Sequence, residues 1–225
     1  MCAISRGSMM KKLIIILSFI SAVFLSGCSE PVPNTRGVYM LMDTSGTYTN
    51  ELRQAQRVIN FILASLEPGD SFAVARVDTA SFSEKDIVAK VAFDDRPSRA
   101  NQQKRNFRDK IDKFVKSVKG SSHTDITGGT LQAIEWLNEA GTGHNTILIF
   151  SDLQEDLKAG YVRDIPLQLS GFKVVALNVT KLRSDNIDPR EYLNRLAAWQ
   201  ERVEAGGGTW QVVNDLERLE KVLSF

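Results

Sequence analysis

Short apolar runs alternate with amphipathic helical patterns along most of the chain, and this alternation constrains the fold most. Six runs predict strands, at 38–42, 72–77, 87–93, 146–150, 172–179 and 210–213. Helical spacing occurs at 50–66, 98–118, 128–140, 189–205 and 215–223. Strands separated by helices form parallel sheets with right-handed crossovers, and continuously apolar strands indicate that both faces are covered. We therefore expect a Rossmann-like α/β domain: a doubly wound, mostly parallel open sheet of about six strands.

The length and composition fit one folded domain with a short additional segment. The chain has 225 residues, of which 43% are hydrophobic and 24% charged, as in ordinary packed proteins. The formal net charge is +1, and the excess lies in residues 1–27, which contain three basic residues and no acid. The remainder is close to neutral, which gives no electrostatic reason to expect a nucleic-acid partner.

The amino-terminal segment has the pattern of a secretory signal. Lys11 and Lys12 precede a mostly apolar run at 13–24, which would be about 18 Å long as a helix, too short for a hydrocarbon core of roughly 30 Å. A basic start, a short apolar run and small residues are typical of a signal peptide. The following Leu-Ser-Gly-Cys sequence, which ends at Cys28, resembles the lipobox of bacterial lipoproteins.

The lipobox resemblance implies a mature chain that begins at Cys28 and is anchored in the membrane by acylation of that residue. Residues 1–27 would be the signal peptide, and residues 28–36 would be a short tether containing two prolines. Ser29 stands where Asp is the familiar inner-membrane retention residue, so we expect the periplasmic face of the outer membrane in a cell with two membranes. An ordinary signal peptide or signal anchor that contains a cysteine is the alternative.

Acidic and hydroxyl residues follow two predicted strands and precede one predicted helix. Asp43 and Asp152 come at the ends of apolar runs, and a Thr-rich loop at 122–129 leads into a helix. Ligands bind at the carboxyl ends of strands in such sheets, and hard cations such as Mg²⁺ prefer oxygen donors. Residues two apart in an extended turn can face the same way, so Asp43 can converge with Ser45 and Thr47.

The order of these segments resembles the metal-ion-dependent adhesion site of von Willebrand factor A domains. In that family an Asp-x-Ser-x-Ser stretch follows the first strand, a Thr lies in a later loop, and an Asp follows the fourth strand. The matching residues here are Asp43, Ser45, Thr47, Thr124 and Asp152.

The similarity covers about residues 37–225, with two departures. Thr47 replaces the usual Ser and keeps its hydroxyl, and Leu153 follows Asp152 where Gly is usual. The resemblance implies direct ligation by Ser45, Thr47 and Thr124. It implies that Asp43 and Asp152 act directly or through water, and that one coordination position is left for a carboxylate of a partner.

The resemblance thus implies a non-enzymatic, metal-dependent protein-binding module, an adhesion or scaffold domain of the bacterial cell envelope. The cation expected is Mg²⁺, with Mn²⁺ or Ca²⁺ as alternatives, and the partner is a protein that presents an acidic residue. A second hypothesis is a haloacid-dehalogenase-like phosphatase with Asp43 as its nucleophile, because residues 43–47 and 152–156 resemble the phosphorylated loop and metal motif of that superfamily. A third is a scaffold whose metal site has lost its function.

Plainer interpretations exist for each residue alone. Asp43 and Asp152 could be helix caps or solvated loop acids, and Thr124 or Thr127 could cap the following helix. We expect both histidines in loops or turns, the tryptophans in the core, and the charged face of the 98–118 helix in solvent, since it mixes acids with bases.

Overall fold

A computed structural model describes most of the chain. The described residues are 33–45, 51–179, 182 and 184–223. The predicted signal peptide, the lipidation site Cys28 and the predicted ligand Thr47 lie outside them. Residues from Pro33 onward belong to one compact unit.

The described residues form one six-stranded sheet and five α-helices. The strands are β1 Arg36–Asp43, β2 Ser71–Val77, β3 Ile87–Ala92, β4 His144–Phe150, β5 Phe172–Leu177 and β6 Thr209–Val213. The helices are α1 Leu52–Ser65, α2 Pro97–Ser117, α3 Ile126–Ala140, α4 Pro189–Ala205 and α5 Leu216–Leu223. These bounds agree closely with the predicted segments. His144 is a difference: it begins β4 rather than lying in a turn.

The sheet order is β3-β2-β1-β4-β5-β6. All neighbours are parallel except β2 and β3, which are antiparallel. The β2–β3 connection contains only a short 3₁₀ turn at Glu84–Asp86, and a parallel crossover needs a dozen or more residues. The structure confirms the predicted α/β class and the mostly parallel open sheet.

Helices cover both faces of the sheet, so the fold is doubly wound. Alternate β1 side chains face opposite layers: Met40 packs with apolar residues of α1, α2 and α5, whereas Tyr39 packs with those of α3 and α4. Every residue of β1 after Gly37 is buried. This explains why the central strands are continuously apolar rather than alternating.

No α-helix within the described ranges is long and apolar enough to cross a lipid bilayer.

Candidate metal centre

The predicted site lies at the switch point of the sheet, where the strands stop being added on one side of β1 and begin to be added on the other. From β1 the chain adds β2 and β3 on one side, and then β4 pairs with β1 on the other side. Asp43 ends β1, and Asp152 follows the end of β4 by two residues. Neighbouring parallel strands end at the same edge, so the topology itself brings these two acids together at the switch point.

Asp43 is completely buried and fully engaged by hydrogen bonds. Its side chain is inaccessible to solvent. Oδ1 accepts a hydrogen bond from the backbone N–H of Ser45 at 2.8 Å, and Oδ2 accepts one from Ser151 Oγ at 2.6 Å. It is therefore neither a helix cap nor a solvated loop acid. It orients the backbone of Ser45, the second predicted ligand.

Asp152 is the second buried acid, with 4% of its surface exposed. Its Oδ1 accepts a hydrogen bond from the backbone N–H of Gln154 at 2.9 Å. Burial raises the pKa of the Asp152 carboxyl, and the negative charge of Asp43 raises it further, although the Gln154 hydrogen bond opposes both. Removing both carboxylates from water costs free energy unless positive charge compensates them.

Three of the predicted ligands line one cavity of about 460 Å³, namely Ser45, Thr124 and Asp152. Ser121, Ser122, Glu155 and Asp156 also line it and were not predicted as ligands. Asp43 does not line the cavity and is linked to it through the backbone of Ser45. The structure therefore brings together residues from three loops that are spread over more than 100 positions of the sequence.

Backbone hydrogen bonds join the three loops. The N–H of Ser121 donates to the carbonyl of Thr44 at 2.8 Å, next to the bridge between Ser45 and Ser121. Thr124 and Asp156 exchange two hydrogen bonds, at 2.8 and 3.0 Å. These backbone links hold the Ser45 loop against Ser121, and they hold Thr124 against the loop that follows Asp152.

Asp125, rather than Thr124 or Thr127, caps α3. Its Oδ1 accepts a hydrogen bond from the N–H of Gly128 at 2.7 Å, the usual role of an N-cap acid. Its side chain is 1% exposed and also pairs with Arg163 at 2.7 Å. Thr124 is therefore not used as a helix cap. The sequence contains Asp-Ile-Thr-Gly at this point, which could have indicated the cap.

Glu155 fastens the loop after β4 to the start of α3. Its Oε1 accepts from the backbone N–H of Thr127 at 2.6 Å, and its Oε2 lies 3.2 Å from Nη1 of Arg202. Arg202 also donates to Thr127 Oγ1 at 2.6 Å. On the rim, His123 Nδ1 lies 3.3 Å from the Asp156 carboxylate, which agrees with the expected loop position of His123.

Arg195 on α4 stabilises the Asp152 loop through a hydrogen bond to its backbone. It forms two hydrogen bonds with the buried Asp185, at 3.0 and 2.9 Å, and donates from Nε to the backbone carbonyl of Asp152 at 3.1 Å. The hydrogen bonds to Asp185 raise the pKa of the Arg195 guanidinium. No sequence pattern predicts this pair, because its spacing of ten residues follows no helical or strand repeat.

Leu153, which follows Asp152, adopts a backbone conformation that is typical of Gly. Its φ is 67°, in the left-handed region that Gly adopts without strain. The side chain is 1% exposed, its N–H donates to Ser151 Oγ, and its carbonyl accepts from Trp199 Nε1 at 3.1 Å. Burial and two hydrogen bonds offset a conformational cost of about 1–2 kcal/mol.

The donor set at the cavity fits a hard divalent cation. In the part of the chain that the structure describes, no group of three or more His, Cys, Asp or Glu side chains could hold a metal ion. The cavity instead combines the hydroxyls of Ser45 and Thr124 with the carboxylate of Asp152. Such oxygen donors suit Mg²⁺, Mn²⁺ or Ca²⁺.

Comparison with known proteins identifies the fold. No family model and no curated protein sequence matches the chain. Among solved structures, a von Willebrand factor type A protein from Catenulispora acidiphila has a TM-score of 0.54 at 15% identity, covering 84% of this chain and 41% of that one. The pilus adhesin SpaC from Lactobacillus rhamnosus GG has a TM-score of 0.52 at 14% identity, covering 86% and 29%. This chain spans less than half of either protein. The sheet order, the layers and these likenesses together show that the chain has the fold of a von Willebrand factor A domain.

Proposed function

We propose that this protein is a metal-dependent protein-binding module of the bacterial cell envelope. The observation that carries the proposal is the cavity at the sheet edge, which Ser45, Thr124 and Asp152 all line. Two buried carboxylates, Asp43 and Asp152, add the negative charge that a cation would compensate.

The chain's own residues have distinct roles in this proposal. Ser45, Thr47 and Thr124 would hold the cation through their hydroxyls. Asp152 would act directly or through water, Asp43 would orient the backbone of Ser45, and Arg195 would keep the Asp152 loop in place. When bound, Mg²⁺, or Mn²⁺ or Ca²⁺ in its place, supplies a positive centre for a carboxylate of the partner. Without it, the acids lining the cavity would repel such a partner.

The proposed location rests on the amino-terminal sequence. The signal-like segment 1–27 and the lipobox-like sequence that ends at Cys28 support a lipid anchor, and stable anchoring needs more than one acyl chain. We place the domain at the periplasmic face of the outer membrane in a cell with two membranes.

The geometry of Asp43 argues against the phosphatase alternative. A nucleophilic carboxylate must reach its substrate, but Asp43 is inaccessible to solvent and both of its oxygens accept hydrogen bonds. Phosphate release from a generic phosphate ester, abolished in Asp43→Asn, would favour that alternative over ours.

Calorimetric titration with Mg²⁺ and with Mn²⁺ tests the metal site. We expect one bound ion per chain and an affinity that falls about tenfold or more in Ser45→Ala, since metal–ligand geometry is sensitive to loss of one contact. Ser122→Ala is the matched control, because Ser122 lines the same cavity but is not a proposed ligand. No metal-dependent heat in the unmutated protein would support the scaffold that has lost its site.

Capture of envelope proteins tests the binding function. Bound proteins should be retained with Mg²⁺ and released by chelator, and Ser45→Ala should retain much less of them at the same Mg²⁺ concentration. Chelator-insensitive retention that Ser45→Ala preserves would contradict a metal-dependent interface.

A further inference from the structure

A strongly basic surface covers the outer side of α2. Six exposed basic residues of this helix form what we call the basic face: Arg99, Arg105, Arg108, Lys110, Lys113 and Lys116. The charged side of the helix is exposed to solvent, as the sequence predicts. Of its two acids, Asp112 is half-buried and accepts a hydrogen bond from Gln56 Nε2 at 2.6 Å. Asp109 is then the one exposed acid of the helix.

Little within the domain neutralises this charge. Arg99 lies 4.0 Å from Asp94, and Arg105 donates to the uncharged Gln102. Within the described ranges, the other members of the basic face form no ion pair with an acid. The chain after residue 27 is close to neutral in total, so the rest of the domain is correspondingly acidic. The positive charge of the basic face is therefore available to attract an anionic surface.

The amino-terminal half of α2 lies beside the point where the chain enters the domain. A Cβ on Gly69 would lie 3.3 Å from Asp95, just before α2, and 3.4 Å from Thr35. Lys104 of α2 donates to the carbonyl of Leu66, and Arg36 donates to that of Ser65. The start of the helix and the end of the proposed tether therefore contact the same turn.

The chain length puts the basic face within reach of the bilayer to which Cys28 would be attached. Thr35 lies seven positions after Cys28, and this stretch of chain spans at most about 25 Å. The helix, with 21 residues, is about 31 Å long. Basic segments close to a membrane are attracted to anionic headgroups within about a Debye length. None of the basic-face residues lines the candidate metal cavity.

We propose that the basic face of α2 docks the domain onto anionic phospholipid headgroups of the membrane that anchors it. Headgroups are favoured over nucleic acid because the helix adjoins the proposed tether and the leader sequence resembles that of an exported protein. The inference rests on the anchoring part of the proposed function and not on the metal site. Docked in this way, the domain would lie on its side with the cavity free for a partner.

The test uses the lipidated protein that begins at Cys28, reconstituted with vesicles of phosphatidylcholine, alone or mixed with phosphatidylglycerol. Acetylation of Lys110 by an amine-reactive reagent is followed by mass spectrometry, with the exposed Lys158 as an internal reference. Each basic residue near an anionic surface contributes about a fivefold gain in affinity. We therefore expect Lys110 to react roughly tenfold more slowly on vesicles that contain phosphatidylglycerol than on vesicles of phosphatidylcholine alone. Salt at about 1 M should remove the protection.

Matched charge reversals separate docking from a general charge effect. Lys113→Glu/Lys116→Glu should abolish the protection of Lys110, whereas Lys85→Glu/Arg218→Glu, with the same change in net charge, should preserve it. All four positions are exposed, so both variants should keep the melting temperature of the unmutated chain.

Flotation of the protein with the vesicles in a density gradient distinguishes docking from anchoring. If the protein floats with both kinds of vesicle and Lys110 reacts equally fast on both, docking is overturned and the anchor is retained. Flotation only with phosphatidylglycerol vesicles would support docking and overturn the anchor, and flotation with neither would overturn both. Protection of Lys110 by duplex DNA that matches or exceeds the protection by vesicles would also overturn the lipid proposal.

Discussion

Removing the Arg195 guanidinium should destabilise the protein strongly, because it would leave a buried carboxylate without its partner. In the pair, the Asp185 side chain is 0% exposed and that of Arg195 is 16% exposed. The two groups share two hydrogen bonds at 3.0 and 2.9 Å. Breaking such a buried pair by removing one member costs about 3–5 kcal/mol. We therefore expect Arg195→Met to lose about that much free energy of unfolding.

Urea unfolding followed by tryptophan fluorescence measures the loss, and a second ion pair of α4 provides the control. Arg190 and Asp188 make a similar two-armed contact, but their side chains are 83% and 35% exposed. Water solvates both groups, so Arg190→Met should change stability far less.

A double variant isolates the buried charge as the cause. Asp185→Asn in combination with Arg195→Met removes the uncompensated charge and keeps an acceptor for the N–H of Leu182, which now donates to Asp185 at 2.7 Å. The double variant should therefore be more stable than Arg195→Met alone. Equal losses in Arg195→Met and Arg190→Met, or strictly additive losses in the double variant, would refute the reasoning.

Two further substitutions test local features of the site by the same unfolding measurement. Leu153→Gly should cost about 1–2 kcal/mol less than Leu169→Gly, because both lose a buried leucine but only Leu153 has a positive φ; equal costs would show that Leu153 is not strained. Gly128→Ala should destabilise α3 by about 1–2 kcal/mol, because the new Cβ would lie 2.5 Å from the capping carboxylate of Asp125. An unchanged midpoint would mean that Asp125 moves freely despite its pairing with Arg163.

The sequence by itself determined the secondary structure and the order of the site segments. Apolar periodicity is a local property, so the six strands and five helices could be located from short windows. The parallel arrangement followed from the alternation of strands and helices. With strand order unknown, the ends of β1 and β4 could still be identified as places for a ligand, because parallel strands end at one edge.

Tertiary structure decided the features that depend on partners distant in the sequence. The antiparallel pairing of β3, the Arg195–Asp185 pair and the hydrogen bond between Gln56 and Asp112 have no periodic signature. The left-handed backbone of Leu153 likewise depends on burial and on hydrogen bonds with Ser151 and Trp199. Sequence patterns report which face of an element is apolar, whereas these contacts arise only when packed elements place individual polar groups within hydrogen-bonding distance.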